Sequence, residues 1–174
     1  ANRVYVDAAS IQAPQIDLSA AQPGTLEQIY VQVGDVVNAN TTVARVGNEL
    51  VNTKVSGIII ATSQKIGNQV NPNEAVVSMI DPTTIRVVGK VDEDKGLKNI
   101  QVGDAVTFTV DAFGSKQYPA VIDEISPTSE QSGIVFNISD KRAVQQFDVK
   151  ARFDTTLYPE LKNGMSARMW IFGQ

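Results

Sequence analysis

The feature that most restricts the fold of this chain is a stretch that occurs twice. Residues 24–46 and 57–80 align without a gap at a spacing of 33 residues. A unit of this size cannot bury its own apolar face, so the doubling predicts that two copies pack into one pseudo-symmetric sandwich. The residues that the copies share are Gly24/Gly57, Gly34/Gly67, Val37/Val70, Asn38/Asn71, Asn40/Asn73 and Val43/Val76.

The alternation of apolar and polar residues predicts β-structure along most of the chain. This alternation, which repeats every two residues, is clearest at 106–112, 134–139 and 147–153, and glycine-containing turns separate the alternating stretches. The glycines Gly34 and Gly67 precede Asp and Asn, which indicates tight turns with positive φ. About a dozen short strands are typical of sandwiches and barrels. The one helical prediction is a short turn within 92–100, acidic at its start and cationic near its end.

Composition excludes several classes of function. The 174 residues suit one domain or two small ones and include neither cysteine nor histidine. Thiolate chemistry, a Ser-His-Asp triad and histidine zinc ligands are therefore excluded. A net charge of −4 argues against a nucleic-acid partner and against a polybasic membrane-binding patch. No apolar run approaches the ~20 residues that span a bilayer.

The first copy resembles the opening half of a biotinyl/lipoyl carrier domain. The pattern G-x-L-x-x-I-x-V-x-x-G-D-x-V occupies 24–37, and residues 48–57 resemble the strand that opens the second half. Carrier domains bear their modified lysine on the hairpin between the halves, but residues 43–50 contain none. The nearest lysine, Lys54, is predicted to lie inside the next strand as an ordinary surface charge. The resemblance implies the carrier fold without the carrier chemistry.

The residues after the repeat resemble the β-barrel of HlyD-type membrane fusion proteins, also called periplasmic adaptor proteins. The motifs I-x-x-G-x-x-V at 100–106, F-x-V-D-A-F at 108–113 and L-x-x-G-M at 161–165 occur in the family's order. This likeness covers about residues 15–172. It implies an all-β chain with a lipoyl/biotinyl-like barrel-sandwich hybrid at 15–81 and a small antiparallel β-barrel at 82–174. Residues 1–14 form an N-terminal strand or linker that either pairs with the barrel or stays separate, as a remnant of a membrane-proximal domain.

The same resemblance implies a non-enzymatic adaptor of an efflux or secretion transporter. The implied partners are an ABC- or RND-type inner-membrane transporter and further copies of the chain, assembled as a ring outside the membrane. The implied location is extracytoplasmic, in the periplasm or at the cell surface, with an anchor expected upstream of Ala1. Family members usually insert a long α-helical hairpin between the lipoyl halves, whereas seven residues separate Val46 from Lys54. We expect no catalytic, cofactor-binding or metal-binding residue and no cofactor.

Three other functions remain open at this stage. The chain is a carrier-like domain if a lysine is modified, or a cell-surface structural β-domain if it has no transporter partner. An enzyme would rely on Asp92, Glu93 and Asp94, but clustered acids at a helix start are typically solvated caps. Trp170 is predicted to be either an interface anchor or a partly buried barrel residue.

Overall fold

Fourteen β-strands and three single-turn 3-10 helices make up the computed structural model, which describes residues 2–128 and 144–173. The 3-10 turns are Pro82–Thr84, Leu97–Asn99 and Asp111–Phe113. The predicted strand at 134–139 lies outside the described residues. The strands are β1 (Asn2–Gln12), β2 (Gln15–Leu18), β3 (Gly24–Ile29), β4 (Val36–Val37), β5 (Thr42–Val46), β6 (Glu49–Asn52), β7 (Gly57–Thr62), β8 (Gln69–Val70), β9 (Val77–Ile80), β10 (Arg86–Asp92), β11 (Ala105–Val110), β12 (Gln117–Pro127), β13 (Gln146–Arg152) and β14 (Ser166–Gly173).

The strands belong to two compact units. The doubled unit is Ala13–Thr84, and the barrel unit combines Ala1–Gln12 with Ile85–Gln174. Residues 1–14 were predicted as a separate strand or linker segment that either pairs with the barrel or stays apart from it. In the structure β1 pairs with both β10 and β14, so it is a barrel strand. The physical reason is that β10 and β14 would otherwise leave two open edges.

The doubled unit is a sandwich of two four-stranded sheets. One sheet has the order β2-β9-β7-β4 and the other the order β6-β5-β3-β8. One apolar core lies between them, as the predicted barrel-sandwich hybrid requires. Its fully buried members include Leu26, Val43, Ile59, Val76 and Met79.

The two copies of the repeat exchange equivalent hydrogen bonds. The Gly34 N–H donates to the Ile59 carbonyl at 2.8 Å, and 33 residues later the Gly67 N–H donates to the Leu26 carbonyl at 2.8 Å. Likewise β4 pairs with β7 of the second copy, and β8 pairs with β3 of the first. Both turn glycines have positive φ, 97° and 91°, as the sequence predicts. Each copy thus completes the sheet of the other, which explains why the motif occurs twice.

The barrel unit is a closed antiparallel barrel with the strand order β1-β10-β13-β12-β11-β14. Alternate residues of β14 point inward, so Ala167, Met169 and Ile171 are buried while Arg168 is exposed. The largest buried side chains on the other strands are Ile11, Phe108, Tyr118 and Ile122.

The short helical turn predicted within 92–100 is present as a 3-10 turn, but it does not begin at the acidic residues. Asp92 is the last residue of β10, and only Leu97–Asn99 form a 3-10 turn. Gly96 adopts φ 96°, a left-handed conformation that ends any helix beginning at the acidic residues. Residues 93–96 are therefore a turn between β10 and that 3-10 segment.

Candidate functional site

The hairpin between β5 and β6 occupies the place where a carrier domain would bear its modified lysine. Its two-residue tip is Gly47–Asn48, with Gly47 at φ 58°. The Gly47 N–H donates to the Thr25 carbonyl at 2.7 Å, which ties the tip to β3. The hairpin is therefore short and fixed, and it presents an amide side chain in place of an amine.

Lys54 lies in a bend after β6 rather than inside a strand, so that part of the prediction was wrong. The reason is the buried Thr53 beside it. The Thr53 hydroxyl donates to the Asn38 carbonyl at 2.8 Å and accepts from the Thr41 N–H at 3.0 Å, which diverts the chain at the end of β6. The Lys54 side chain is exposed, as predicted.

The acidic residues considered for catalysis do not converge on one point. The Asp92 carboxylate accepts a hydrogen bond from the Gln146 amide at 3.1 Å and pairs with Lys95 at 3.6 Å. Glu93 and Asp94 are exposed in the turn that follows. Within residues 2–128 and 144–173, no three Asp or Glu residues are grouped so as to hold a metal ion.

A charged cluster fixes the loop before β14 to the barrel. The Lys116 ammonium contacts the Glu160 carboxylate at 2.8 Å and lies over the Tyr118 and Tyr158 rings. The buried Tyr118 hydroxyl donates to the same Glu160 oxygen at 3.1 Å. The hydrogen bond from Lys116 lowers the pKa of Glu160 and raises that of Lys116, while burial raises the pKa of Tyr118. Every member has a partner, so the cluster is structural.

A second ion pair lies where the chain enters β10. The Arg86 Nε donates to the Asp123 carboxylate at 2.9 Å, and both side chains are about three-quarters buried. Arg86 also donates to the Ile85 carbonyl at 2.9 Å. This pair joins β10 to β12 across the intervening β13, so it braces the barrel rather than forming a reactive site.

The outward faces of the two sheets in the doubled unit differ in polarity. Cross-strand pairing aligns Val36, Ile58 and Ile80 in one row, and Val36 is 79% exposed. The repeat places Gln69 and Thr25 at the positions of Val36 and Ile58 in the other sheet. Two faces related by the repeat thus carry an apolar row and a polar row.

The outer surface of the barrel carries an aromatic row on β1 and β14. Tyr5 and Trp170 are cross-strand neighbours with ring centroids 5.3 Å apart, and Phe172 is 39% exposed. Trp170 is half-buried, as one of its two predicted placements requires. The sequence analysis missed Tyr5 and Phe172. The alternation of β14 places Phe172 on the face of Trp170, but nothing in the sequence identifies β1 as the neighbouring strand.

The described residues therefore offer surfaces for contact rather than a convergent reactive centre. Among them, no helix combines the length and the apolar character needed to cross a bilayer.

Comparison with known proteins gives structural matches only. No family model and no curated protein matches the sequence. A MacA–MexA chimeric protein containing the Pseudomonas aeruginosa MexA alpha-hairpin domain matches with a TM-score of 0.76 and 17% identity, over 98% of this chain and 80% of that one. The membrane fusion protein Spr0693 from Streptococcus pneumoniae R6 matches with a TM-score of 0.71 and 13% identity, over 100% of each chain. The periplasmic adaptor protein EmrA matches with a TM-score of 0.59 and 10% identity, over 99% of each.

These matches confirm the predicted fold class. A lipoyl-like sandwich and a small antiparallel barrel occur in one chain, and the likeness covers both units. At such low identity the likeness is one of fold, and function has to be argued separately.

Proposed function

We propose that this chain, which has the fold of the membrane fusion and periplasmic adaptor proteins, is a non-enzymatic adaptor subunit of a transmembrane efflux or secretion transporter. The observation that carries the proposal is the likeness of both units, over 98–100% of the chain, to proteins described as membrane fusion or periplasmic adaptor proteins. A likeness of one unit alone would support the adaptor function much less, because lipoyl-like sandwiches and small barrels each occur in proteins of many functions.

Each of the two units is closed by its own backbone hydrogen bonds, which suits a structural role. The doubled unit is closed by reciprocal hydrogen bonds between its copies, and the barrel is closed by β1. The hairpin between β5 and β6 of the doubled unit contains no lysine, so it lacks the amine that is modified in a carrier domain. Such a chain acts by holding its surfaces in place for other proteins to bind. From the likeness to adaptor proteins we infer that these partners are an inner-membrane transporter of the ABC or RND type and neighbouring copies of the chain. Copies related by rotation contact each other through two different surfaces and close into a ring outside the membrane.

The test uses the full-length protein extracted from its native membrane. Chemical crosslinking is expected to give a ladder that ends at a closed oligomer, and the transporter is expected to co-purify. A strictly monomeric protein with a co-purified transporter would refute the ring, and a protein that retains no transporter would refute the adaptor role. The intact mass of the same preparation distinguishes the adaptor from a carrier-like domain, because a biotinyl or lipoyl adduct on any lysine contradicts the proposal.

A further inference from the structure

The barrel surface contains a groove in which hydrogen-bond donors without a partner in the described residues surround two partly exposed aromatic rings. This open groove of about 320 Å³ is lined by Arg3, Thr107, Gln117, Trp170 and Phe172. Cross-strand pairing fixes the arrangement, because Arg3 is opposite Phe172 on β14 and Thr107 on β11 is opposite Trp170. The lining residues belong to β1, β11, β12 and β14, so a closed sheet holds them in position.

The polar groups of this groove have no partner within the described part of the chain. Neither the Arg3 guanidinium nor the side chains of Thr107 and Gln117 form a hydrogen bond or ion pair there. Arg168, two residues before Trp170, differs because Asp7 lies at 3.6 Å and Asp111 at 4.0 Å from its Nε. The groove therefore has one uncompensated positive charge in a chain whose net charge is −4.

We propose that this groove binds a segment of a protein partner in which a carboxylate side chain lies next to a large apolar side chain. The guanidinium fork of Arg3 binds the carboxylate, because arginine matches a planar carboxylate with two parallel hydrogen bonds. Thr107 and Gln117 donate further hydrogen bonds, and the apolar side chain packs on Trp170 and Phe172. Tryptophan, tyrosine and arginine are the residues enriched where protein interfaces derive most of their energy.

A lipid surface fits these observations less well. One free arginine supplies little attraction to anionic lipids, which typically contribute about 1 kcal/mol per basic residue near the membrane. The three donors stand at defined places around the aromatic rings, which favours a ligand with defined acceptors. The proposal goes beyond the adaptor role and does not depend on it, because it concerns a surface of the barrel and the chemistry of what binds there.

The experiment uses Trp170, the only tryptophan of the chain, as the reporter. The chain is titrated with the blocked peptide Gly-Ser-Asp-Phe-Ser-Gly and with versions in which Asn replaces Asp or Ala replaces Phe. We expect a saturable change in fluorescence with the Asp-Phe peptide and about tenfold weaker binding of the Asn-Phe peptide, because a charge-assisted pair is lost. Arg3→Gln is expected to abolish that tenfold preference. The control Arg45→Gln removes the same charge from an exposed position in the doubled unit and is expected to preserve it.

Four results would overturn the proposal. They are no saturable response at millimolar peptide, equal binding of the Asp-Phe and Asn-Phe peptides, a preference that survives in Arg3→Gln, and a larger response to phosphatidylglycerol vesicles than to peptide. The last result would assign the groove to a membrane surface. Failure here leaves the crosslinking test of the adaptor role unaffected, since that test does not involve the groove.

Discussion

Replacing Gly57 by alanine should destabilise the doubled unit far more than replacing its repeat equivalent, Gly24. A Cβ on Gly57 would overlap the carbonyl oxygen of Ile80 on the adjacent strand and approach the Met79 methyl to 2.7 Å. A Cβ on Gly24 would come closest to a methyl group of Val46, at 3.2 Å, and would lie 3.4 Å or more from the nearest backbone atoms. The two positions share strand geometry and place in the repeat, so each variant controls for the other.

The expected difference follows from which atoms can move. The Ile80 oxygen belongs to the backbone of β9, whose neighbours are β2 and β7, so relief requires displacing a central strand. Overpacking of this kind costs about 1–3 kcal/mol. Replacing glycine by alanine also stabilises the folded state by about 0.4–1 kcal/mol, because alanine lowers the conformational entropy of the unfolded chain. Because Val46 needs to shift by only a few tenths of an ångström, Gly24→Ala should be nearly neutral. For Gly57→Ala the cost less the gain leaves a net loss of about 1.3 kcal/mol, which is also the difference from the nearly neutral Gly24→Ala.

The measurement has to separate the two units. Hydrogen exchange detected by mass spectrometry on peptides from residues 13–84 reports the doubled unit, while Trp170 fluorescence reports the barrel. A loss of about 1.3 kcal/mol corresponds to about tenfold faster exchange of the most protected amides in Gly57→Ala. Trp170 should report an unchanged native environment. Equal exchange in both variants, or slower exchange in Gly57→Ala, would refute the steric argument.

Two further predictions concern polar contacts. Thr53→Val should lower the free energy of unfolding of the doubled unit in urea by about 1–3 kcal/mol, because the buried Thr53 hydroxyl donates to the Asn38 carbonyl and accepts from the Thr41 N–H. The control Thr62→Val changes a half-buried threonine of β7 and should alter that free energy little. An equal loss in both variants would contradict this reading. Glu160→Gln should lower the melting temperature of the barrel at about pH 7 and have much less effect at about pH 3. The hydrogen bond from Lys116 holds the pKa of the Glu160 carboxyl in the folded protein below its value in the unfolded chain. The stability that the Glu160 carboxylate contributes is therefore complete above the unfolded pKa and is lost as the pH falls through the folded pKa. A melting-temperature difference between the variant and the original chain that persists unchanged in acid would show that the carboxylate charge is not its source.

The parts of the fold that the sequence predicted depend on local patterns. The repeat identified the sandwich because turns at Gly34 and Gly67 need only their neighbouring residues to form. The alternation at 106–112 and 147–153 likewise predicted the strands that the structure has as β11 and β13. The hairpin without a lysine was predicted because residues 43–50 lie between two recognisable strands.

The parts that were missed depend on pairing between distant segments. The residues of β1 pair with β10 and β14, which lie far along the chain, so local periodicity could not assign β1 to the barrel. The groove around Arg3 was missed for the same reason, because it combines residues from four strands. The charges of residues 92–98 placed the start of the short helical turn at the acidic residues, whereas the left-handed Gly96 confines it to Leu97–Asn99.

The insertion of the doubled unit between two neighbouring barrel strands couples the two units through chain entropy. Gln12 pairs with Arg86 on the barrel side, and Gln15 pairs with Ile80 on the other, so both ends of residues 13–84 are held together while that unit is folded. If the doubled unit unfolds, the barrel must instead close a long flexible loop, at a cost of about 0.6 kcal/mol for each doubling of loop length. The barrel then loses stability without losing a single one of its own contacts. A substitution deep in the sandwich, such as Gly57→Ala, therefore lowers the stability of the barrel whenever it leaves the doubled unit unfolded.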